Sequence, residues 1–446
     1  MSPRLPSRLA HRSAARRRTA LFAAAALSLA GFSGVSTAAS AIADPSHDDF
    51  YRYTGRTPLS QIAPGTPLKE REVTLGAMTT GTPLAAQQIL YRTTDAAGHP
   101  ALSVTTVVLP AAGTAAPRVV GYLSFYDALG PTCDPSFTLR GGDPGAANQN
   151  TGGAEQAVVY SLHAQGYVVT VPDTENETLD FGAGAAYGMS SLDAVKATLA
   201  VLKLGASTPV GLMGYSGGSI ASDWASELAP RYAPTLNLVG VAQGGMPVDF
   251  AHILTYVDGT PKWSAVMPAA LVGIARSYHV DITPYLSDFG AKIVKADSDK
   301  CIAEFAGNVT LKQLLKPQYA DVLHVPALRK LLDATLMGSV PGHPAGPLLI
   351  VAGNLDGTGD GITIAADEKA LAAQYCKQGV AVAYAEVPHG EHTQVGVAFM
   401  PQAFAFLAGR FAGLPPVSSC ASLGGAASVA TVSSATSPSS GPSQGA

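Results

Sequence analysis

Charge is what this chain has least of. Asp, Glu, Lys and Arg make up 13% of its 446 residues, against about 25% in ordinary soluble domains. Hydrophobic residues reach 47%, which excludes a disordered or polyelectrolyte chain. No acid precedes Asp44, whereas Arg4, Arg8, Arg12, Arg16, Arg17 and Arg18 crowd the start. Without those six, 22 bases face 32 acids, a net charge of −10. That balance leaves no electrostatic footprint for nucleic acid or an anionic membrane surface. Internal repeats are absent. Cysteine is scarce: Cys133, Cys301, Cys376 and Cys420 are all there are. Also missing is any stretch past the N-terminal segment that is long and apolar enough to span a bilayer, which takes roughly 18–20 residues.

The arginine-rich start leads into the apolar run Ala20–Phe32 and then into small residues, with Ala39-Ser40-Ala41 and Ala41-Ile42-Ala43 as cleavage sites. This order predicts a secretory signal over residues 1–43. Arg17-Arg18 leaves both general and twin-arginine export open, and the expected destination is extracellular, with no transmembrane anchor in the mature chain. In an exported protein an even cysteine count predicts two disulfides, with three pairings possible. The last 26 residues, 421–446, are almost entirely Ser, Ala, Gly, Pro and Thr. They lack the apolar surface to offset ordering entropy and are expected to form a disordered tail.

Between the ends, apolar strands alternate with helices. Strands are expected at Arg118–Phe125, Tyr167–Val171, Val210–Tyr215, Leu236–Ala242, Leu348–Gly353 and Val380–Val387, preceded by three nearer the N-terminus. Helices are expected at Gly153–Gln165, Ser190–Leu204, Gly217–Ala229 (closed by Pro230), Ala365–Gln378 and Gln394–Phe411. The alternation predicts an α/β fold with a mostly parallel sheet covered by helices on both faces. From 248 to 345 the pattern is helical with no convincing strand. It lacks linker composition at either end, so it reads as a helical cap inserted between core segments 44–247 and 346–420.

Gly214-Tyr215-Ser216-Gly217-Gly218 is a G-x-S-x-G motif at the end of an apolar strand and the start of a helix. That context gives the motif its meaning: a serine on a strained strand-to-helix turn, with helix-start N–H groups beside it to meet a developing oxyanion. A serine nucleophile needs a base oriented by an acid, in the chain order Ser, Asp or Glu, His. Asp356 follows one late strand and His392 another, each at a carboxyl end where open sheets place their ligands. Asp360 and His389 are nearby rivals, with turn formation as the alternative role for one member of each pair. His389–Glu391–His392 falls short of a metal site, and Gly182-Ala183-Gly184 has the wrong spacing for dinucleotide binding.

Several segments resemble the secretory lipases, the lipase-A-like α/β-hydrolases of yeasts and actinobacteria. They are Ser124-Phe125-Tyr126-Asp127, Cys133-Asp134-Pro135-Ser136-Phe137, Leu192-Asp193-Ala194-Val195-Lys196-Ala197, Gly214–Gly218 and Gly390-Glu391-His392. The likeness covers about residues 50–413 and implies an α/β-hydrolase fold with a cap. It implies Ser216 as nucleophile, Asp356 as acid, His392 as base, and the backbone N–H groups of Asp127 and Gly217 as the oxyanion hole. The family usually has Val-Pro shortly after its acid, whereas Gly357–Gly361 occupies that loop here. The family pattern also implies Cys133–Cys301 and Cys376–Cys420, tying the Asp127 loop to the cap and pinning the C-terminus. The expected activity is that of a secreted serine ester hydrolase, a triacylglycerol lipase, for a lipid or other ester substrate, with no metal or organic cofactor required. An esterase for acetylated natural products or polyesters, a peptidase of the same fold and a non-catalytic exported binding protein are the alternatives.

Overall fold

The computed structural model describes residues 42–76, 83–110, 116–142 and 149–424. The expected signal segment up to residue 41 and tail residues 425–446 lie outside the described residues. Among the described residues nine strands form one sheet: β1 (Pro67–Leu75), β2 (Leu84–Thr94), β3 (Pro100–Val108), β4 (Val119–Leu123), β5 (Val168–Pro172), β6 (Pro209–Tyr215), β7 (Asn237–Gly244), β8 (Leu348–Asn354) and β9 (Val382–Pro388). Their order is β1-β2-β3-β5-β4-β6-β7-β8-β9. The first three strands pair antiparallel, β3 pairs antiparallel with β5, and every later pairing is parallel.

The helices are α1 (Pro135–Thr138), α2 (Gln149–Ala164), α3 (Gly184–Val201), α4 (Gly217–Tyr232), α5 (Phe250–Val257), α6 (Val266–Ser277), α7 (Asp288–Asp297), α8 (Leu311–Leu314), α9 (Pro326–Asp333), α10 (Ala365–Lys377) and α11 (His392–Phe411). Successive strand residues point to opposite faces, and here both faces are buried. Val119, Leu348 and Ile350 pack in one core with Leu192 of α3, Trp224 of α4 and Leu371 of α10. Val120, Leu349 and Val351 pack in the other with Val159 of α2 and Phe399 of α11. This two-sided burial is why the central strands read as continuous apolar runs.

Among the helix boundaries that differ from the sequence reading, two have a visible cause. α3 begins at Gly184 rather than Ser190, in a stretch of small residues without apolar periodicity. Its Gly184 and Gly188 lie so close to Trp224 of α4 that a Cβ at either would collide. Tight helix contact, not an apolar stripe, selects the residues there. α4 continues through Pro230 to Tyr232. Proline has no N–H to give to the carbonyl four residues back, and the Ser226 carbonyl accepts instead from the Ala345 N–H at 2.8 Å.

Between β7 and β8 the described chain contributes helices α5–α9 and no strand of the sheet. Disulfides join Cys133 to Cys301 and Cys376 to Cys420. The first ties the loop after β4 to the helical insertion, beside a Leu129 N–H bond to the Lys300 carbonyl at 2.8 Å. It spans a separation of 168 residues, worth up to about 5 kcal/mol in the chain-entropy model. Cys133→Ser/Cys301→Ser is therefore expected to lower the melting temperature and also kcat, because the freed loop carries Asp127. Cys376→Ser/Cys420→Ser is expected to lower the melting temperature alone. Paired thermal melts and ester turnover check this; full kcat in the first variant would show that the loop is held without the bond.

Candidate active site

Ser216 sits between β6 and α4 with φ 56° and ψ −122°. That is a conformation L-residues adopt only when the surroundings impose it. The surroundings are visible. The Ser216 N–H donates to the Gly244 carbonyl of β7 at 3.0 Å, and its own carbonyl accepts from the Ser219 N–H at 2.8 Å. A Cβ at Gly214 would strike the Gly218 backbone, and one at Gly218 would strike the Leu123 carbonyl. Both motif glycines are thus dictated by close approach around the turn.

His392 opens α11, held by the capping box of Glu391 and Gln394. Its ring is 3% exposed. It lies between Tyr215 and Trp263, at centroid distances of 5.1 and 5.3 Å. The Tyr215 hydroxyl donates to the His392 carbonyl. His392 Nε2 lies 2.8 Å from Ser216 Oγ, and Nδ1 lies 2.7 Å from Asp360 Oδ2. A carboxylate can only accept, so the Nδ1 side carries the proton and Nε2 is left to accept from the serine hydroxyl.

The acid facing His392 is Asp360, and the expectation of Asp356 is corrected. Asp356 is exposed. Its Oδ1 accepts from the Thr358 and Gly359 N–H groups at 2.8 and 3.1 Å, and its Oδ2 accepts from the Tyr256 hydroxyl at 3.1 Å. It is a turn-former. Asp360 is fully buried. Its Oδ1 accepts from Ile362 and Thr363 N–H groups at 3.1 and 2.8 Å, and its carbonyl accepts from the His392 N–H at 3.0 Å. Burial alone would raise its carboxyl, but the charge and hydrogen bond of His392 and those two N–H groups outweigh burial and hold it below the usual value. His389, the rival histidine, is an exposed turn residue with φ 56°.

Asp127 follows β4 with φ 36° and is buried. The loop is pinned on both sides of it. The Phe125 N–H donates to Glu155 at 3.1 Å, and the Ala128 N–H donates to Glu175 at 3.1 Å. The Asp127 carboxyl rests against Gly217 so closely that a Cβ there would collide. Asp127 and Gly217 thus meet beside Ser216, where the expected oxyanion donors belong.

Above Ser216 lies a cavity of about 560 Å³. Phe181, Ile220, Phe250, Leu254, Trp263 and Met267 contribute to its walls, so α5 and α6 of the insertion form one side. The wall is mostly apolar, and Ser216, His392 and Asp127 line it together with Thr151, Lys262, Thr363 and Thr393.

A family model of secretory lipases matches residues 144–419. The chain belongs to the secretory lipase family. Lipase 6 of Candida albicans (strain SC5314 / ATCC MYA-2876) is 30% identical over 397 residues, 84% of this chain and 83% of its own. A Mycobacterium tuberculosis protein (strain CDC 1551 / Oshkosh) named "Probable inactive lipase" is 31% identical over 83% of each chain. The solved structure of Candida antarctica lipase A in its closed state superposes with a TM-score of 0.77 at 24% identity, covering 87% of this chain and 93% of that one. That likeness shows the α/β-hydrolase fold. Membership supports a hydrolase of the lipase and esterase kind.

In this member of the family the carboxyls of Asp127, Glu155 and Asp173 are buried away from water. Burial pushes Asp127 up to about 7, aided by the charge of Glu155. Burial likewise pushes Glu155 and Asp173 to about 7. Unfolded, such groups ionise near 4. Between pH 4 and 7 the native state therefore holds protons that the unfolded chain has released, and stability falls as pH rises through that window. Asp360, held low, works the other way only between its native value and the unfolded value near 4, below this window. The melting temperature is expected to be higher at pH 5 than at pH 8. An equal or lower value at pH 5 would show that these carboxyls find compensating partners.

Proposed function

We propose that the protein is a secreted serine hydrolase that cleaves carboxylic esters, triacylglycerols among them, through an acyl-enzyme on Ser216. One observation carries the reading. Ser216 Oγ, the His392 ring and Asp360 form an unbroken hydrogen-bonded chain, 2.8 and 2.7 Å, and Ser216 and His392 line a mostly apolar cavity. His392 Nε2 takes the Ser216 proton as Oγ attacks the ester carbonyl. Asp360 fixes the ring tautomer and stabilises the imidazolium. Backbone N–H groups of Gly217 and Asp127 receive the oxyanion; losing one such donor typically costs about 2.7–4 kcal/mol of barrier. His392 then protonates the leaving alcohol, and water activated by the same ring releases the acid.

The apolar cavity favours an acyl chain over a polar peptide side chain. The relative named inactive does not set the reading for this chain, whose serine, histidine and aspartate are in contact. The arginine-then-apolar start and the family support export, and among the described residues no helix is long and apolar enough to cross a membrane. A series from p-nitrophenyl acetate to a long-chain triglyceride emulsion, with peptide amides beside it, tests the proposal. Turnover of esters including the emulsion is expected. Turnover of amides alone, or of nothing, would overturn it.

A further inference from the structure

Away from Ser216, three side chains from two distant stretches of chain converge. Asp95 and His99 bracket the tight turn between β2 and β3, and His279 follows α6 of the helical insertion. Asp95 is buried, with its side chain 6% exposed, while the two imidazoles are 63% and 55% exposed. His279 Nε2 lies 2.8 Å from Asp95 Oδ2. His99 Nδ1 lies 3.2 Å from that same oxygen and 3.1 Å from His279 Nε2.

Hydrogen bonds alone serve this triangle poorly. Two ring nitrogens face each other at bonding distance, and both also face one carboxylate oxygen. An N–H aimed at the oxygen is not aimed at the other nitrogen, and two N–H groups aimed at the oxygen bring their hydrogens together. A cation between the three atoms removes the conflict. Zinc bonds imidazole nitrogen at about 2.0–2.1 Å and carboxylate oxygen at about 2.0–2.2 Å. In a tetrahedron, those lengths separate the ligand atoms by roughly 3.3–3.5 Å. The two longer edges would lengthen by about 0.1–0.4 Å and the shortest by about 0.5–0.7 Å. Two nitrogens and one oxygen suit zinc and its transition-metal neighbours rather than calcium or magnesium, which take oxygen ligands. The half-exposed rings leave the fourth position to water.

The surroundings are already docked. The Ala96 N–H donates to Ser277 Oγ at 3.0 Å, and that hydroxyl donates to buried Asp180 at 2.8 Å. Gly273 of α6 packs on the Phe181 backbone so closely that a Cβ would collide. His279 holds a left-handed φ of 54° because it ends α6 in a helix-stop turn, with the Val280 N–H bonded to the Ala275 carbonyl at 2.9 Å and its own N–H to the Arg276 carbonyl at 3.0 Å, and that turn fixes where its ring leaves the backbone.

We propose that Asp95, His99 and His279 form a zinc-class divalent metal site that clamps the end of α6 to the β2–β3 turn. Val266, Met267 and Ala270 of the same helix line the cavity over Ser216, so the ion would fix one wall of the acyl pocket without touching the reaction. The site is a positioning device, independent of the proposed esterase chemistry.

The test uses the untagged full-length protein and zinc chloride alone. Calorimetric titration is expected to show one zinc per chain, with a melting temperature raised by a few degrees and reversed by chelator. Cobalt should give the visible absorption of a four-coordinate nitrogen–oxygen site. His99→Ala should lose binding and the thermal shift. So should His279→Asn, which tolerates the left-handed backbone, and Asp95→Asn, which keeps an acceptor for the His99 N–H. Circular dichroism confirms that each variant is folded. Absence of zinc binding in the wild type, or binding unchanged in the folded variants, would overturn the proposal.

Discussion

Ser216→Ala is expected to lower kcat for ester hydrolysis by on the order of 10⁶-fold, the scale of losing a serine nucleophile whose base and acid act as a unit with it. The melting temperature should stay nearly unchanged. The substitution removes one oxygen, while the Ser216 N–H bond to Gly244 and the carbonyl bond to Ser219 are backbone interactions that alanine retains. A small residual rate should survive from the oxyanion donors and the cavity. Activity within tenfold of wild type would remove Ser216 from the mechanism.

Asp360→Asn is expected to lower kcat by about 10⁴-fold, because an amide in place of the carboxylate can present its NH₂ to Nδ1, reverse the tautomer and take away the charge that balances the imidazolium. Asp360 is buried and 2.7 Å from that nitrogen, so no solvent is at hand to replace it. Asp356→Asn should change kcat by no more than a few-fold, since its amide oxygen can still accept from Thr358 and Gly359. The two variants measured side by side separate the acids. The reverse ranking would return the role to Asp356 and require the loop to rearrange in the working enzyme.

The difference between those two aspartates shows where the sequence stops being legible. Both lie four residues apart in one glycine-rich loop after β8, and composition cannot separate them. What separates them is a fold-back: Gly359 bridges to Ile364, and the Asp360 N–H bonds to the Thr363 carbonyl at 3.1 Å. That turn drives Asp360 inward and leaves Asp356 at the surface. The available hint was local. Ile362 and Thr363 follow Asp360 and supply N–H groups to its carboxylate, whereas Asp356 sits among Asn354, Gly357 and Thr358, the composition of a solvent turn.

The strand-to-helix turn at Ser216 was legible for the opposite reason. Its meaning lies in contiguous residues, a buried strand, two glycines dictated by backbone approach, and a helix. The position of His392, between a strand and the last helix, was legible from the pattern around it. The helical character of the insertion showed as a break in the strand–helix alternation. The early start of α3 was hidden because contact with Trp224 selects small residues instead of an apolar stripe. The His99–His279 pair was out of reach altogether. Its members are 180 residues apart, and only the docking of α6 against the β2–β3 turn brings them together. The sequence reading expected no metal ligands, and the proposed Asp95–His99–His279 site departs from that expectation.

The central claim is that Ser216 is the activated nucleophile. A fluorophosphonate probe tests it most directly, because it reacts only with a serine whose proton is being withdrawn beside an oxyanion site. After labelling the full-length protein and digesting it, mass spectrometry should find one adduct, on the peptide carrying Gly214–Gly218, and none in Ser216→Ala or His392→Ala. An unlabelled wild type, or an adduct on any other residue, would contradict the account.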